Sequence, residues 1–132
     1  YFKTQQEMRK KTMKEVLIYP PSLCPFARTL GIIGGKWKPM ILHLVSEGVN
    51  RFSLLEKQLP GISRKMLANQ LRELERDGLL SREIFAEIPP RVEYSVTGKG
   101  QSLLAVVMPM YEWGVRHLAP DLPRYKKNSR TV

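Results

Sequence analysis

The sequence predicts one domain with an α+β fold that is mainly helical, and three observations lead to this prediction. Its 132 residues, of which 42% are hydrophobic and 26% charged, match a single soluble globular unit with a buried core. Apolar residues recur at three- and four-residue spacings along most of the chain, as they do in amphipathic helices. One stretch, residues 82–96, alternates side-chain types with a period of two, which indicates a pair of strands.

Three regions are expected along the chain. Residues 1–21 form a basic arm whose apolar stripe is thin, so a helix there needs a covering partner, such as a second copy in a dimer. Pro20 and Pro21 end this arm because proline biases its predecessor towards extended backbone. Residues 22–118 form the compact domain, and residues 119–132 form a basic tail.

Two short helices open the compact domain. The first begins at Pro25, which suits a first helical turn, and ends before Gly34. The second starts after Trp37 and stops at Gly48, because glycine accepts the left-handed conformation in which many helices end.

A sharp turn separates the next two helices. Ser53 and Glu56 have the S-x-x-E spacing of a capping box, which predicts the start of a short third helix. Pro60–Gly61 suit the two central positions of a type II turn. Ser63 then caps a fourth helix, which ends at Gly78 in a Schellman motif.

A hairpin and a long helix complete the domain. The strands, near residues 82–86 and 92–96, meet at a stiff tip that contains Pro89 and Pro90. Thr97 caps a last helix that reaches about Leu118 and that Pro109 should kink. Its apolar surface is wider than one small domain needs, so we expect something else to cover part of it. The apolar residues singled out on this surface are Leu103, Val107, Met110, Tyr111 and Trp113.

The charge balance points to a polyanionic partner. Lys and Arg number 22 against 12 Asp and Glu, which gives a formal net charge of +10.

A single cysteine excludes a disulfide within the chain. No apolar run approaches the roughly 18 residues that a membrane span requires, so a cytoplasmic protein without a membrane partner is expected.

Two helices joined by a tight turn and followed by a hairpin are the order of elements in a winged helix-turn-helix, here with a wing of two or three strands. The fourth helix then presents polar and basic side chains opposite its apolar stripe. Arginine can pair with guanine and asparagine with adenine, so this face suits the major groove of double-stranded DNA. The residues assigned to it are Ser63, Arg64, Lys65, Asn69, Arg72 and Arg76. The alternative interpretation is a solvated charged helix.

Other cations flank this helix. Arg91 lies at the tip of the hairpin, where it is suited to a narrow minor groove; the alternative is an exposed turn arginine. Four more cations are assigned to phosphate contacts, which fix position without reading sequence: Lys36, Lys38, Arg51 and Lys57.

Cys24 precedes a helix start, where the amide dipoles favour a reactive thiolate and hence a sensor of oxidants or electrophiles. The alternative is a buried cysteine that packs as a small hydrophobe.

His43 and His117 are not spaced with Cys24 as in a metal site, and no phosphate-binding loop occurs. We therefore expect no metal, no cofactor and no enzymatic activity.

Several motifs resemble those of the HxlR-type winged helix-turn-helix regulators of the MarR-like superfamily. In chain order they are Cys24–Pro25, Gly34–Trp37, Arg51–Phe52, Gly61–Ser63, Pro90, Tyr94–Thr97 with Gly100, and Trp113–Gly114. The resemblance implies a homodimeric transcription factor whose terminal helices form the dimer interface and whose recognition helix and wing meet DNA. The apolar residues of the last helix named above are accordingly assigned to that interface. The resemblance also implies a sensor role for Cys24, since family members often carry a cysteine there. Pro109 and the basic tail depart from the family pattern.

Two other function classes compete with a DNA-binding regulator. One is a winged-helix module that binds a protein through the hairpin and the last helix, with the positive charge serving solubility. The other is a thiol enzyme that uses Cys24, which the lack of a resolving cysteine and of a suitable base disfavours.

Overall fold

The computed structural model describes Pro20 and residues 22–119. Within these residues the chain forms five helices and one two-stranded sheet, and the mainly helical α+β class is confirmed. The elements are α1 (Pro25–Ile33), α2 (Lys38–Ser46), α3 (Phe52–Gln58), α4 (Arg64–Arg76), β1 (Leu80–Phe85), β2 (Arg91–Val96) and α5 (Gly98–His117). Apart from Pro20 and Ala119, the predicted arm and tail lie outside the described residues.

The chain divides into two compact units, with the division between Gly34 and Gly35. In the first unit, α1 has Cys24 as its N-cap residue and Pro25 in its first turn, as predicted. Phe26 and Leu30 on this helix are largely exposed.

The second unit contains α2 to α5 and the hairpin, and leucines dominate its core. The side chains that are almost completely buried come from α2, α3 and α4, from the segments that follow these helices, and from the start of β1. They are Ile41, Leu42, Leu44, Val49, Leu55, Leu59, Leu67, Leu71, Leu74, Leu79 and Leu80. This burial supplies most of the driving force that holds the helices together.

Glycine ends both α2 and α4. Gly78 has a φ of 75°, and the N–H of Leu79 donates to the carbonyl of Leu74 over 2.9 Å. Both leucines are buried, which completes the predicted Schellman motif. Gly48 ends α2 with a φ of 95° in the same way.

The turn and caps before α4 follow the sequence prediction, whereas the capping box of α3 was wrong. Gly61 has a φ of 88°, and Ser63 Oγ accepts the N–H of Met66 over 3.0 Å. The N-cap of α3 is Arg51, in extended backbone, and it makes no side-chain cap bond. Ser53 therefore lies inside the first turn of α3, where it cannot cap.

The sheet is a regular antiparallel hairpin. Its register pairs Leu80 with Val96 and Phe85 with Arg91, so residues 86–90 form the connecting loop. β1 thus begins two residues and ends one residue before its predicted position, and β2 begins one residue early and ends at Val96 as predicted. The N–H of Tyr94 donates to the carbonyl of Asn50 over 2.8 Å, which ties β2 to the segment before α3.

Thr97 joins the start of α5 to the end of α4. Its Oγ1 accepts the N–H of Gly100 over 3.0 Å, as the predicted cap, and donates to the carbonyl of Gly78 over 2.6 Å. α5 continues as one helix through Pro109, and the predicted kink there stays a prediction.

Candidate nucleic-acid interface

α4 separates its apolar and polar residues onto two faces. Leu67, Leu71 and Leu74 are at most 1% exposed and pack into the core. The residues assigned to the major groove lie elsewhere on the helix surface: Ser63, Arg64, Lys65, Arg72 and Arg76 are exposed, and Asn69 is half-buried. Lys65, Asn69, Arg72 and Arg76 therefore lie on the outward side of α4, and Ser63 and Arg64 lie at its N-terminal end.

Several of these side chains are held in place by neighbours. Arg72 Nη2 donates to Asn69 Oδ1, so the two groups lie side by side one turn apart. The guanidinium of Arg64 stacks over the ring of Phe52 with its central carbon 5.4 Å from the ring centroid. Such contacts reduce the rotamer entropy that binding must overcome.

Three of the four cations assigned to phosphates are exposed. Arg51 precedes α3 and Lys57 lies in its last turn. Lys36 lies before α2, with its ammonium 4.8 Å from the centre of the Trp37 ring. Each has room to reach a phosphate.

Lys38 differs from these three because its side chain is only 7% exposed. Its ammonium lies 3.3 Å from Oε1 of Glu73 on α4. A buried cation needs such a partner, since losing water without one is costly. In this structure Lys38 is not presented to a phosphate, and we leave it out of the interface.

Arg91 is also restrained. Its guanidinium lies 4.0 Å from the centre of the Phe85 ring and makes ion pairs with Glu87 (3.1 Å) and Glu93 (3.0 Å). Arg91 Nε is buried without a hydrogen-bond partner among the described residues. The arginine therefore lies along the hairpin instead of extending from its tip.

Glu93 links the hairpin to the segment before α3. Its Oε2 lies 3.0 Å from Arg91 Nη1 and 3.4 Å from Arg51 Nη2, so one carboxylate oxygen contacts two cations. Beside this junction, an open cleft of about 470 Å³ runs between the hairpin loop and the starts of α3 and α4. Arg51 and Arg64 are among the residues that line it.

A larger polar groove of about 800 Å³ lies between α4 and β1, and Arg72 and Arg82 are among its lining residues. Tyr94 on β2 faces Arg82 across the sheet. Burial raises the pKa of the Tyr94 hydroxyl above its ordinary value of 10.0, and this outweighs the lowering by Arg82. Tyr94 is therefore neutral at pH 7 and adds no negative charge beside this groove.

α5 exposes apolar side chains along its second half. Met110 and Trp113 are about half exposed and Tyr111 somewhat less. Leu103 is half-buried and Val107 is 6% exposed, so these two pack mainly within their own unit. Of the five residues assigned to a dimer interface, the last three form the accessible part.

Cys24 is a half-buried free cysteine at the start of α1, and its side chain makes no capping bond. Its position at a helix start agrees with the sequence prediction.

Over the described part of the chain, no group of side chains is arranged to hold a metal ion, and no helix has the length and apolarity to cross a membrane.

Sequence reasoning missed the acidic partners of the cations. Glu93 was not singled out, although it lies two residues from Arg91 in a strand and therefore on the same face of the sheet. That spacing could have identified the pair. Glu73 lies 35 residues from Lys38, and no local pattern indicates such a contact.

Comparison with known proteins gives one consistent result. The profile of the HxlR-like helix-turn-helix family matches residues 32–122. The HTH-type transcriptional regulator YdeP of Bacillus subtilis is 47% identical over 94 residues, which cover 71% of this chain and 73% of YdeP.

Solved structures of two regulators are similar in fold. The oxidised form of the redox regulator HypR superposes with a TM-score of 0.67 and 43% identity, covering 71% of this chain and 97% of HypR. The reduced form of the transcriptional regulator YodB from B. subtilis gives a TM-score of 0.62 and 32% identity, covering 76% and 99%.

Proposed function

The chain belongs to the HxlR-like helix-turn-helix family of transcriptional regulators, and from this premise we propose that it is a homodimer that binds specific sequences in double-stranded DNA. The relatives named above are regulators, and the proposal assigns no catalysis to this chain. α4 acts as the recognition helix. Residues 80–96, which comprise β1, the loop and β2, act as the wing.

One observation carries the proposal: α4 buries its leucines and turns its basic and amide side chains outward. The six residues on this face read base edges and hold the nearest phosphates. Arg51, Lys57 and Lys36 contact phosphates beside them. The formal net charge of +10 supports the same partner, since a basic chain attracts a polyanion over several ångströms.

The exposed apolar residues of α5 support a dimer. A two-fold arrangement that covers Met110, Tyr111 and Trp113 removes apolar surface from water and pairs two recognition helices. The DNA site is then palindromic, with the two helices about 34 Å apart if they enter successive major grooves.

Selection of bound duplexes from a random pool tests the proposal. We expect an enriched palindrome that binds at least about a thousandfold more tightly than random DNA at physiological salt. A winged-helix module that binds only proteins gives no enriched sequence, even at low ionic strength. That result would exclude DNA recognition.

A second proposed function is sensing of oxidants or electrophiles through Cys24. It is supported by the position of this thiol at a helix start and by the fold similarity to the redox regulator HypR. The selected duplex can be titrated before and after treatment of the protein with diamide or a quinone. A change in affinity that Cys24→Ser abolishes supports sensing, and an unchanged affinity of the treated wild type refutes it.

A further inference from the structure

The tip of the wing is apolar and unusually exposed. Ile88 lies at the middle of the loop of residues 86–90 and is fully exposed. All five loop residues are exposed, so no described residue covers the isoleucine. An isoleucine in this position loses the stabilisation that burial normally gives it.

The backbone at the tip is also stiff. Pro89 and Pro90 follow Ile88 directly, and each fixes its own φ and restricts the residue before it. A contact made by Ile88 therefore orders little additional backbone. Such preorganisation is typical of a binding element rather than of a loop that only connects two strands.

Arg91, the cation at the base of this loop, is not the group through which the loop contacts a partner. Arg91 lies on the Phe85 ring, and Glu87 and Glu93 offset its charge. The tip consequently presents a hydrocarbon side chain to its surroundings, with a compensated charge behind it. This arrangement does not suit a phosphate, but it suits the stacked bases inside a groove.

The surface beside the tip suits a DNA strand. Residues 87–90 of the loop line one side of the cleft, where Glu87 pairs with Arg91, and Arg51 and Arg64 also line it. These two arginines are cations of the proposed interface, so the apolar tip is continuous with the basic surface. A phosphodiester strand that follows the cleft brings its groove edge to Ile88.

We propose that Ile88 is an apolar wedge that enters the minor groove and partly unstacks one base step. Apolar side chains used in this way kink duplexes towards the major groove by about 20° to 90°. Pyrimidine–purine steps such as TA and CA unstack most easily, so the wedge makes the protein prefer such a step under the wing. Ile88 thus determines specificity at a position where no hydrogen bond reads a base. This inference rests on the proposed DNA-binding function.

The test compares four proteins on the selected duplex and on a copy of it. In the copy, the pyrimidine–purine step under the wing, located by hydroxyl-radical footprinting, is replaced by AA. The proteins are the wild type, Ile88→Ala, Ile88→Leu and the matched control Ile84→Ala. Ile84 is 61% exposed on β1 of the same wing, and it lies outside the loop. Fluorescence energy transfer between dyes on the duplex ends measures the bend.

For the wild type and Ile84→Ala we expect about tenfold weaker binding to the AA duplex and a smaller bend on it. For Ile88→Ala we expect roughly tenfold weaker binding to the original duplex, a smaller bend, and no preference between the two. Ile88→Leu should restore the affinity, the bend and the preference for the original duplex, because leucine keeps the apolar volume. Thermal unfolding should be unchanged in all variants, since both positions are exposed.

Two results overturn the wedge while leaving the proposed function intact. One is an Ile88→Ala protein that keeps both the step preference and the bend. The other is an Ile88→Ala protein that loses only self-association, because the tip then contacts a second copy. A wild type that binds no selected duplex removes the proposed function as well, so the two failures are distinguishable.

Discussion

The ammonium nitrogen of Lys38 lies 3.3 Å from Glu73 Oε1, and this pair joins the start of α2 to α4. The lysine side chain is 7% exposed and the glutamate 38%, so only the acid retains substantial contact with water. Gln70 Nε2 donates to the other oxygen of the same carboxylate over 3.3 Å. The pair therefore ties α4 to the start of α2.

This asymmetry predicts unequal effects of the two single substitutions. Glu73→Gln leaves a buried ammonium without a counter-charge and should lower the free energy of unfolding by about 3 kcal/mol. Lys38→Met leaves a carboxylate that water can still reach, and it should cost only about 1 kcal/mol. Urea denaturation at pH 7 measures both values. Equal losses would contradict the burial difference.

Gly100 predicts a second stability effect, at the start of α5. A Cβ atom there would lie 2.3 Å from the carbonyl oxygen of Leu79 and 2.6 Å from Val96 Cγ1. Alanine is the better helix former, yet here it must displace backbone, so Gly100→Ala should destabilise the protein by about 2 kcal/mol. Thermal unfolding measures the change. Gly98→Ala is the matched control: its added methyl meets nothing within 4 Å, so it should be neutral or stabilising.

Local chemistry explains which parts of the fold the sequence predicts. Ser63 and Thr97 were identified as caps, and Gly48 and Gly78 as helix ends, because each of these roles depends on one residue and its immediate neighbours. The capping box predicted at Ser53 was wrong, because residue spacing alone does not determine where a helix starts. Its spacing is correct, but α3 begins two residues earlier than the box requires.

Contacts between distant segments were not predictable in this way. Lys38 was assigned to phosphate because a lysine near the turn is normally exposed, and only the packing of α2 against α4 buries it. Val107 was assigned to the dimer surface because periodicity shows an apolar face but not which part of it the chain itself covers. Hence the sequence shows which face of a helix is apolar, whereas only the tertiary structure shows which residues of that face remain exposed.

The exposed half of α5 predicts the oligomeric state. Trp113 is 53% exposed and Met110 51%, so a charge at either position disturbs a dimer surface more than the fold. Each subunit of a homodimer carries the substitution, so a two-fold interface contains it twice. Trp113→Glu should therefore raise the dimer dissociation constant by roughly a thousandfold, on the scale of two interface hot spots.

Sedimentation equilibrium of the wild type and Trp113→Glu checks this prediction. Gln101→Glu, exposed in the first half of the same helix, is the control and should remain dimeric. A dimeric Trp113→Glu protein would place the interface elsewhere.

The salt dependence of DNA binding predicts which cations contact phosphates. Each neutralised phosphate contributes about 0.9 to the slope of log K against log salt concentration. Because a dimer carries two copies of Lys57, Lys57→Ala should reduce the slope by roughly 2 and weaken binding to all sequences similarly. Fluorescence anisotropy over a salt series measures the slope. Lys99→Ala removes the same charge outside the proposed interface, and an equal change in slope for this variant would argue against a specific phosphate contact.

Base reading by α4 predicts a different pattern for Arg72. Its guanidinium is exposed and held beside Asn69, so it is preorganised to pair with a base edge in the major groove. Arg72→Ala should weaken binding to the selected palindrome by about 1 to 3 kcal/mol per half-site, and weaken binding to random DNA much less. Competition titrations with the two duplexes give this difference. Arg116→Ala, which removes an exposed cation from α5, should leave the ratio unchanged. If Arg72→Ala lowers both affinities equally, Arg72 contacts phosphate, and base reading depends on the other residues of the helix.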